Sequence, residues 1–218
     1  MQGSIRGWES PRSKGPLDAP SLCALTPDME PGALVHYCAK LVAAGVDIIQ
    51  VRQKSMSRRL LAQCLGGIVE RCRRGGVICL VDDEVDLALW SGADGVHLGE
   101  DDLPLTMARQ LLGPRAIIGA TANSPGLLDR AVAEGADYVG CGPVFATPIK
   151  SCKPAIGPQR VSLLQGLSPL PVFAIGGIGR DNLPQLRQLG IGRICIMRGL
   201  AEAADLAIEV AAIRGILA

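Results

Sequence analysis

A length of 218 residues suits one large domain better than two, because α/β barrels routinely run this long without splitting. Apolar residues make up 48% and aromatics only 3%, so the core must be built from Leu, Ile, Val and Ala, a mixture suited to parallel strands buried on both faces. With a net charge of +1 and basic and acidic residues nearly balanced, neither a nucleic-acid face nor a polybasic membrane segment is visible, and no apolar run approaches the ~20 residues that cross a bilayer.

Residues 1–20 carry charges without an apolar h-region, so they read as a flexible or loosely docked N-terminal extension rather than a secretory signal. From residue 21 to 218, short β-branched runs alternate with amphipathic or Ala/Leu-rich stretches of helical length. Strands are predicted at Leu22–Leu25, Asp47–Val51, Val77–Val81, Gly95–Leu98, Ala116–Ala120, Tyr138–Cys141, Val172–Ile175 and Arg193–Met197. Helices are predicted near 31–44, 57–74, 84–91, 104–112, 125–134, 158–166, 181–189 and 201–214. Alternation of this kind requires right-handed crossovers and a parallel sheet, and eight such units predict a single closed (β/α)8 TIM barrel.

A weak repeat supports closure. Gly45-Val46-Asp47, Gly92-Ala93-Asp94, Gly135-Ala136-Asp137 and Gly190-Ile191-Gly192 precede the second, fourth, sixth and eighth strands. Each Gly suits the left-handed position just past a helix C-terminus. The eight cysteines show no CxxC and no metal-ligand spacing, and several lie inside apolar runs such as Val77-Ile78-Cys79-Leu80. They read as reduced, buried thiols of a cytoplasmic chain.

Chemistry in such a barrel sits where strands end. The second strand runs through Gln50-Val51-Arg52-Gln53-Lys54, where alternation sends Gln50 and Arg52 to one side and Lys54 follows just past the strand. Two cations and an amide suit a polyanion such as diphosphate; a solvated strand end is the alternative. Asp82-Asp83-Glu84 ends the third strand and His97-Leu98-Gly99-Glu100-Asp101-Asp102 the fourth. Acids so placed fit Mg2+, which takes one or two carboxylates and leaves the rest to water and phosphate, or else helix N-caps at Asp82 or Asp83 and at Asp101 or Asp102. His97 is expected to hydrogen-bond within the barrel rather than bind a metal. Thr121 and Asn123 follow the fifth strand, and a long loop from Gly142-Pro143 to Thr147-Pro148-Ile149-Lys150 follows the sixth. Gly176-Gly177 after the seventh strand and Met197-Arg198 after the eighth match the usual barrel phosphate site, where glycine lets phosphate approach the backbone. Two anion sites and one acidic site around one mouth suggest a transferase joining two substrates.

Several segments together resemble the thiamine phosphate synthase family: Gln50-x-Arg52-x-Lys54, Asp83, His97 through Pro104, Gly142-Pro143-x-Phe145-x-Thr147-Pro148-x-Lys150 and Ala174-Ile175-Gly176-Gly177-Ile178. The resemblance covers roughly residues 22–214. It implies an Mg2+-dependent enzyme that condenses 4-amino-2-methyl-5-hydroxymethylpyrimidine diphosphate with a thiazole phosphate, giving thiamine phosphate and pyrophosphate. It implies catalytic roles for Arg52, Lys54 and Lys150, and metal ligation by Asp83 and Asp102. Residues 50–54, Asp82, Thr121 and Lys150 would bind the pyrimidine substrate. Thr147, Pro148, Ile149, Gly177, Met197 and Arg198 would bind the thiazole phosphate. Partners would be these small molecules alone, with neither nucleic acid nor membrane, in a chain that could form a homo-oligomer.

Four positions depart from the family pattern. Asp82 stands where Asn is usual, Thr121-Ala122-Asn123 replaces Ser-Ala-His, Ile149 replaces a Thr, and Arg198 replaces a frequent Ser. Two other readings follow: a thiazole tautomerase-like isomerase, which needs a histidine where Asn123 stands, and a non-catalytic binder of phosphate ligands.

Overall fold

Eight parallel strands close into a barrel in sequence order in the computed structural model, which describes residue 17 and residues 21–146 and 154–218. The strands are β1 (Ser21–Leu25), β2 (Ile48–Val51), β3 (Ile78–Asp82), β4 (Gly95–Leu98), β5 (Ile117–Thr121), β6 (Tyr138–Cys141), β7 (Val172–Ile175) and β8 (Arg193–Ile196). The helices between them are α1 (Pro31–Ala44), α2 (Arg58–Gly75), α3 (Val85–Ser91), α4 (Leu105–Leu112), α5 (Pro125–Ala133), α6 (Pro158–Leu167) and α7 (Leu183–Gln188). Two more follow β8: α8 (Arg198–Ala201) and α9 (Leu206–Leu217). The (β/α)8 barrel is therefore the observed architecture, and pairing of β8 with β1 closes it, with Cys23 opposite Cys195. The single last helix expected over 201–214 is instead two. Asp205 interrupts it because its carboxylate accepts the N–H groups of Ala207 (2.9 Å) and Ile208 (3.1 Å), starting α9 afresh.

Alternation along each strand divides the core in two. Side chains pointing outward join the helices in one aliphatic layer, in which Val51, Val81, Leu98 and Cys141 are buried. Those pointing inward fill the barrel: Cys23, Leu25, Ile48, Ile78, Leu80, Ile117, Tyr138, Phe173 and Cys195, with Leu17 among them. The carbonyl of Leu17 accepts from Arg193 Nε at 2.6 Å; the rest of the expected extension lies outside the described residues. Aromatic rings are scarce, yet two of the chain's four Tyr and Phe residues meet inside the barrel. Tyr138 and Phe173 pack edge to face with centroids 5.3 Å apart. Space for them comes from Gly119, where any side chain would run into the Tyr138 ring.

The glycine repeat behaves as expected, since Gly45, Gly92, Gly135 and Gly190 all have positive φ at helix ends. Its aspartates do more than begin a strand. Asp47, Asp94 and Asp137 each accept, at 2.8 Å, the N–H of a residue in the preceding strand: Leu22, Cys79 and Ile118 respectively. Arg214 then pairs with Asp47 at 2.7 Å and Arg109 with Asp137 at 2.8 Å. This stitching lies at the strands' N-terminal ends, opposite the mouth, where a barrel's residues serve stability.

All seven cysteines among the described residues are buried. Burial pushes the Cys141 thiol up to about 12, and hydrogen bonding with Cys195 together with burial pushes Cys23 up. The thiolate is the reactive form, so these groups should resist modification. With an aromatic disulfide reagent at pH 8, we expect the seven to stay unmodified in the native protein and to react once it is unfolded. Rapid native labelling of any of them, located by peptide mapping, would contradict this burial.

Candidate functional site

The strands' C-terminal ends surround a cavity of about 780 Å3. One wall is charged. Gln50, Arg52 and Lys54 line it from β2, Asp82 and Asp83 from β3, His97 and residues 99–102 from β4, and Thr121 from β5. The opposite wall is largely backbone: Gly142 and Pro143 after β6, residues 175–179 after β7, and residues 197–199 after β8.

The first strand's end holds the charged wall in place. Thr26 Oγ1 accepts the Arg52 N–H (2.9 Å) and donates to the Arg52 carbonyl (3.0 Å), locking that residue's backbone. Asp28 accepts the N–H groups of Lys54 (2.5 Å) and Ser55 (3.0 Å) and lies 3.5 Å from the Arg52 guanidinium. Burial pushes the Asp28 carboxyl up, but those two N–H groups and the Arg52 charge outweigh it and hold it below its usual value. Neither Thr26 nor Asp28 is among the residues expected at the site, although Thr26-Pro27-Asp28 follows the first apolar run as the other sites follow theirs.

Across from these cations lie the β3 acids. Lys54 Nζ is 3.1 Å from Asp82 and also pairs with Asp83, while Arg52 Nε is 3.9 Å from Asp82. Asp83 turns back into the mouth because it adopts φ 63°, a left-handed conformation that Asp tolerates better than most residues. Asp102 Oδ2 accepts the Gly99 N–H at 2.7 Å, closing a turn after β4. The helix-capping alternative for these acids does not hold. Glu84 and Pro104 stand at the N-caps of α3 and α4, and neither makes a side-chain capping bond.

Deeper in, the His97 ring is held at both nitrogens, by the Tyr138 hydroxyl at 3.0 Å and the Thr121 hydroxyl at 3.2 Å. Burial pushes the Tyr138 hydroxyl well above its usual range, so it keeps its proton. When that proton is donated to Nδ1, Nε2–H donates to Thr121 and the Thr121 hydroxyl hydrogen is left free for another acceptor.

Sequence reasoning places Gln50, Arg52, Lys54, Asp82, Asp83, Asp102, Thr121, Gly177, Met197 and Arg198 at the mouth, and the structure brings all of them to its lining. Two expected residues are elsewhere. Val51 points outward into the helix-facing core, as alternation requires of a residue between Gln50 and Arg52. The Gln53 side chain is tied to the β1 loop, donating to Pro27 (2.7 Å) and Thr26 (3.1 Å) and accepting from Met29 (2.9 Å). Thr147, Pro148, Ile149 and Lys150 lie outside the described residues.

The paired glycines have a cause beside the one expected. A Cβ at Gly177 would sit 2.8 Å from Phe145 Cβ, and one at Gly176 2.6 Å from Pro143 Cα, so close approach of the β6 loop already demands glycine. Val144 and Phe145 donate to the carbonyls of Ile175 (2.9 Å) and Gly176 (3.0 Å), zipping the two loops together. Asn182 clamps the turn, donating to the Gly177 carbonyl (2.8 Å) and accepting the Gly179 N–H (2.9 Å). Asn123 accepts the Gly142 N–H at 2.8 Å and so braces the same loop.

Comparisons with known proteins agree with this geometry. The family model described as thiamine monophosphate synthase matches residues 22–200. A thiamine-phosphate synthase of Synechocystis sp. is 45% identical over 158 residues, covering 72% of this chain and 46% of that protein. One from Chlorobium luteolum is 38% identical over 187 residues, covering 85% of this chain and 87% of that protein. The chain spans about half the length of several of the curated relatives it matches. Among solved structures, a thiamine phosphate pyrophosphorylase from Pyrococcus furiosus superposes with a TM-score of 0.80 at 30% identity, over 91% of this chain and 95% of that one. Since the family match runs from β1 into α8 and takes in both walls of the mouth, the chain belongs to the thiamine monophosphate synthase family.

Proposed function

We propose that this chain condenses 4-amino-2-methyl-5-hydroxymethylpyrimidine diphosphate with a thiazole phosphate, forming thiamine phosphate and releasing pyrophosphate. The observation that carries the proposal is the pairing of Arg52 and Lys54 with Asp82 and Asp83 at one wall of the mouth, facing a glycine turn at the other. The first wall suits a diphosphate accompanied by a cation, the second a phosphate monoester held by backbone amides.

In this reading the bond between the pyrimidine methylene carbon and its diphosphate oxygen breaks first, and the electron pair leaves with pyrophosphate. The thiazole nitrogen then donates its lone pair to the methylene cation. That nitrogen carries no proton, so no general base is needed. Arg52 and Lys54, with Lys150 in the same role, stabilise charge gathering on the departing oxygens. Thr121 supplies a hydroxyl donor to the pyrimidine diphosphate.

The acidic residues fit Mg2+. Their donors are hard carboxylate oxygens, Asp83 already partners a cation, and Asp102 keeps one oxygen clear of its Gly99 bond. Asp83 and Asp102 would hold it. When bound, it would neutralise charge on the diphosphate oxygens.

The isomerase alternative lacks an acid–base group at Asn123. The outward-facing Val51 and the loop-bound Gln53 leave the substrate contacts of the second strand to Gln50, Arg52 and Lys54. No helix among the described residues is long and apolar enough to cross a membrane. The reading is tested by measuring pyrophosphate and thiamine phosphate with both substrates, with and without Mg2+. Product should require the metal, and Asp102→Ala should reduce turnover about tenfold to a hundredfold, partly recovered by raising Mg2+. No turnover by folded protein in any divalent metal would favour the non-catalytic binder.

A further inference from the structure

The Tyr138 ring lies in the barrel interior with Leu25, Ile117, Phe173 and the thiols of Cys23 and Cys195, a setting that offers little to a hydroxyl. Two glycines make room for the group it does reach. Gly119 stands opposite Tyr138 where β5 pairs with β6, and any Cβ there would collide with the ring. A Cβ at Gly140 would stand 3.1 Å from His97 Cε1, so the imidazole too packs against bare backbone. The Tyr138 hydroxyl meets His97 Nδ1 at 3.0 Å, and His97 Nε2 meets the Thr121 hydroxyl at 3.2 Å. These three side chains thus run from the barrel interior to the cavity, which His97 and Thr121 both line.

Such a chain of bonds around a neutral imidazole has two possible directions. In one, Tyr138 donates to Nδ1, Nε2–H donates to Thr121, and Thr121 keeps its hydrogen for a further acceptor. In the other, Thr121 donates to Nε2, Nδ1–H donates to Tyr138, and the phenolic hydrogen must find an acceptor inside the barrel. Burial keeps that hydrogen on its oxygen. Among the described residues the Tyr138 hydroxyl bonds to His97 alone, and the side chains packed around the ring are apolar apart from thiols, which accept weakly. A buried donor without a partner is costly, whereas Thr121 faces a cavity where water or a ligand accepts its hydrogen. The first direction is therefore the stable one. We propose that Tyr138 is a positioning residue that acts through the His97 tautomer to hold the Thr121 hydroxyl as a hydrogen-bond donor to the bound pyrimidine diphosphate. This rests on the reading that such a substrate occupies the mouth; Tyr138 itself lies beneath it. In Tyr138→Phe both tautomers leave Nδ1 unpaired, so the preference lapses and Thr121 is able to give its hydrogen to Nε2 instead of to the ligand.

The experiment compares wild type with Tyr138→Phe, Thr121→Val and the double variant, in single-turnover pyrophosphate release with both substrates and Mg2+ at saturation. Phenylalanine keeps the ring against Phe173, and a urea midpoint checks that the barrel is intact. Tyr138→Phe should slow release by about threefold to tenfold, and Thr121→Val by at least as much, the scale of one hydrogen bond. In the double variant Tyr138→Phe should add nothing to Thr121→Val, because the tyrosine acts only through that hydroxyl. Nitrogen-15 spectra of labelled histidine supply a readout that general loosening would not mimic. The chain has two histidines, so His36→Gln assigns the His97 signals. His97 should be the Nε2–H tautomer in wild type and a mixture in Tyr138→Phe. An unchanged rate in folded Tyr138→Phe, effects that multiply in the double variant, or a wild-type His97 carrying its proton on Nδ1 would overturn the proposal. The wild-type spectrum decides the direction even where a variant does not fold, and it needs no substrate. A wild type with the Nε2–H tautomer and no turnover would sink the synthase reading and leave the hold of Tyr138 on His97 standing.

Discussion

Arg52→Ala is expected to slow pyrophosphate release by about a hundredfold to a thousandfold, the scale of losing one preorganised donor at a developing negative charge. Preorganisation is the reason for so large an effect. The backbone of Arg52 is gripped on both sides by the Thr26 hydroxyl, and its guanidinium lies between Asp28 at 3.5 Å and Asp82 at 3.9 Å. The charge therefore stands in position before substrate arrives. Arg52→Lys should recover only part of the rate, because an ammonium cannot reproduce the planar fork. Single-turnover kinetics at saturating substrate separate this from weaker binding. A loss confined to KM, with the chemical step unchanged, would mean that Arg52 only anchors the diphosphate.

The second large effect concerns stability. Phe173→Ala should destabilise the barrel by about 3–5 kcal/mol, a sizeable part of the ~5–15 kcal/mol that holds an ordinary domain folded. Phe173 is fully buried inside the barrel. Its loss also removes the edge-to-face partner of Tyr138, whose hydroxyl holds His97. Phe173→Leu, which keeps most of the volume, should cost much less. Urea titration gives both values. A midpoint for Phe173→Ala within error of wild type would show that the barrel interior collapses around the gap.

Period-two alternation made the charged wall legible, because one strand face had to carry Gln50 and Arg52 together. The same rule read more strictly excludes Val51, which sits between them and faces the helices. It says nothing of Gln53, which lies past the strand, where hydrogen bonds to Thr26 and Pro27 take over. Gly176 and Gly177 were legible as glycines that had to be glycines. A second cause lies in contacts with Pro143 and Phe145, some thirty residues away, which no local pattern displays. Thr26 and Asp28 escaped because Thr-Pro-Asp resembles an ordinary turn; their importance comes from what they hold, not from their own chemistry. The bond from Gln50 Nε2 to Asp82 was similarly out of reach, since it depends on the pairing of β2 with β3, which sets Gln50 opposite Leu80.

The aspartates at the foot of the barrel carry an implication for how the chain can be divided. Asp47, Asp94 and Asp137 reach back from the second, fourth and sixth strands to the first, third and fifth, so each bond closes a pair of neighbouring βα units on itself. Backbone bonds run across the seams from second to third and from fourth to fifth strand, from Ile78 to Asp47 and from Ile117 to Asp94. Each pair of units is thus a module bracketed on itself by its aspartate. New termini opened by circular permutation between modules, after α2 or α4, would leave every bracket within continuous chain. An opening inside a module would force its aspartate to find its strand across a break.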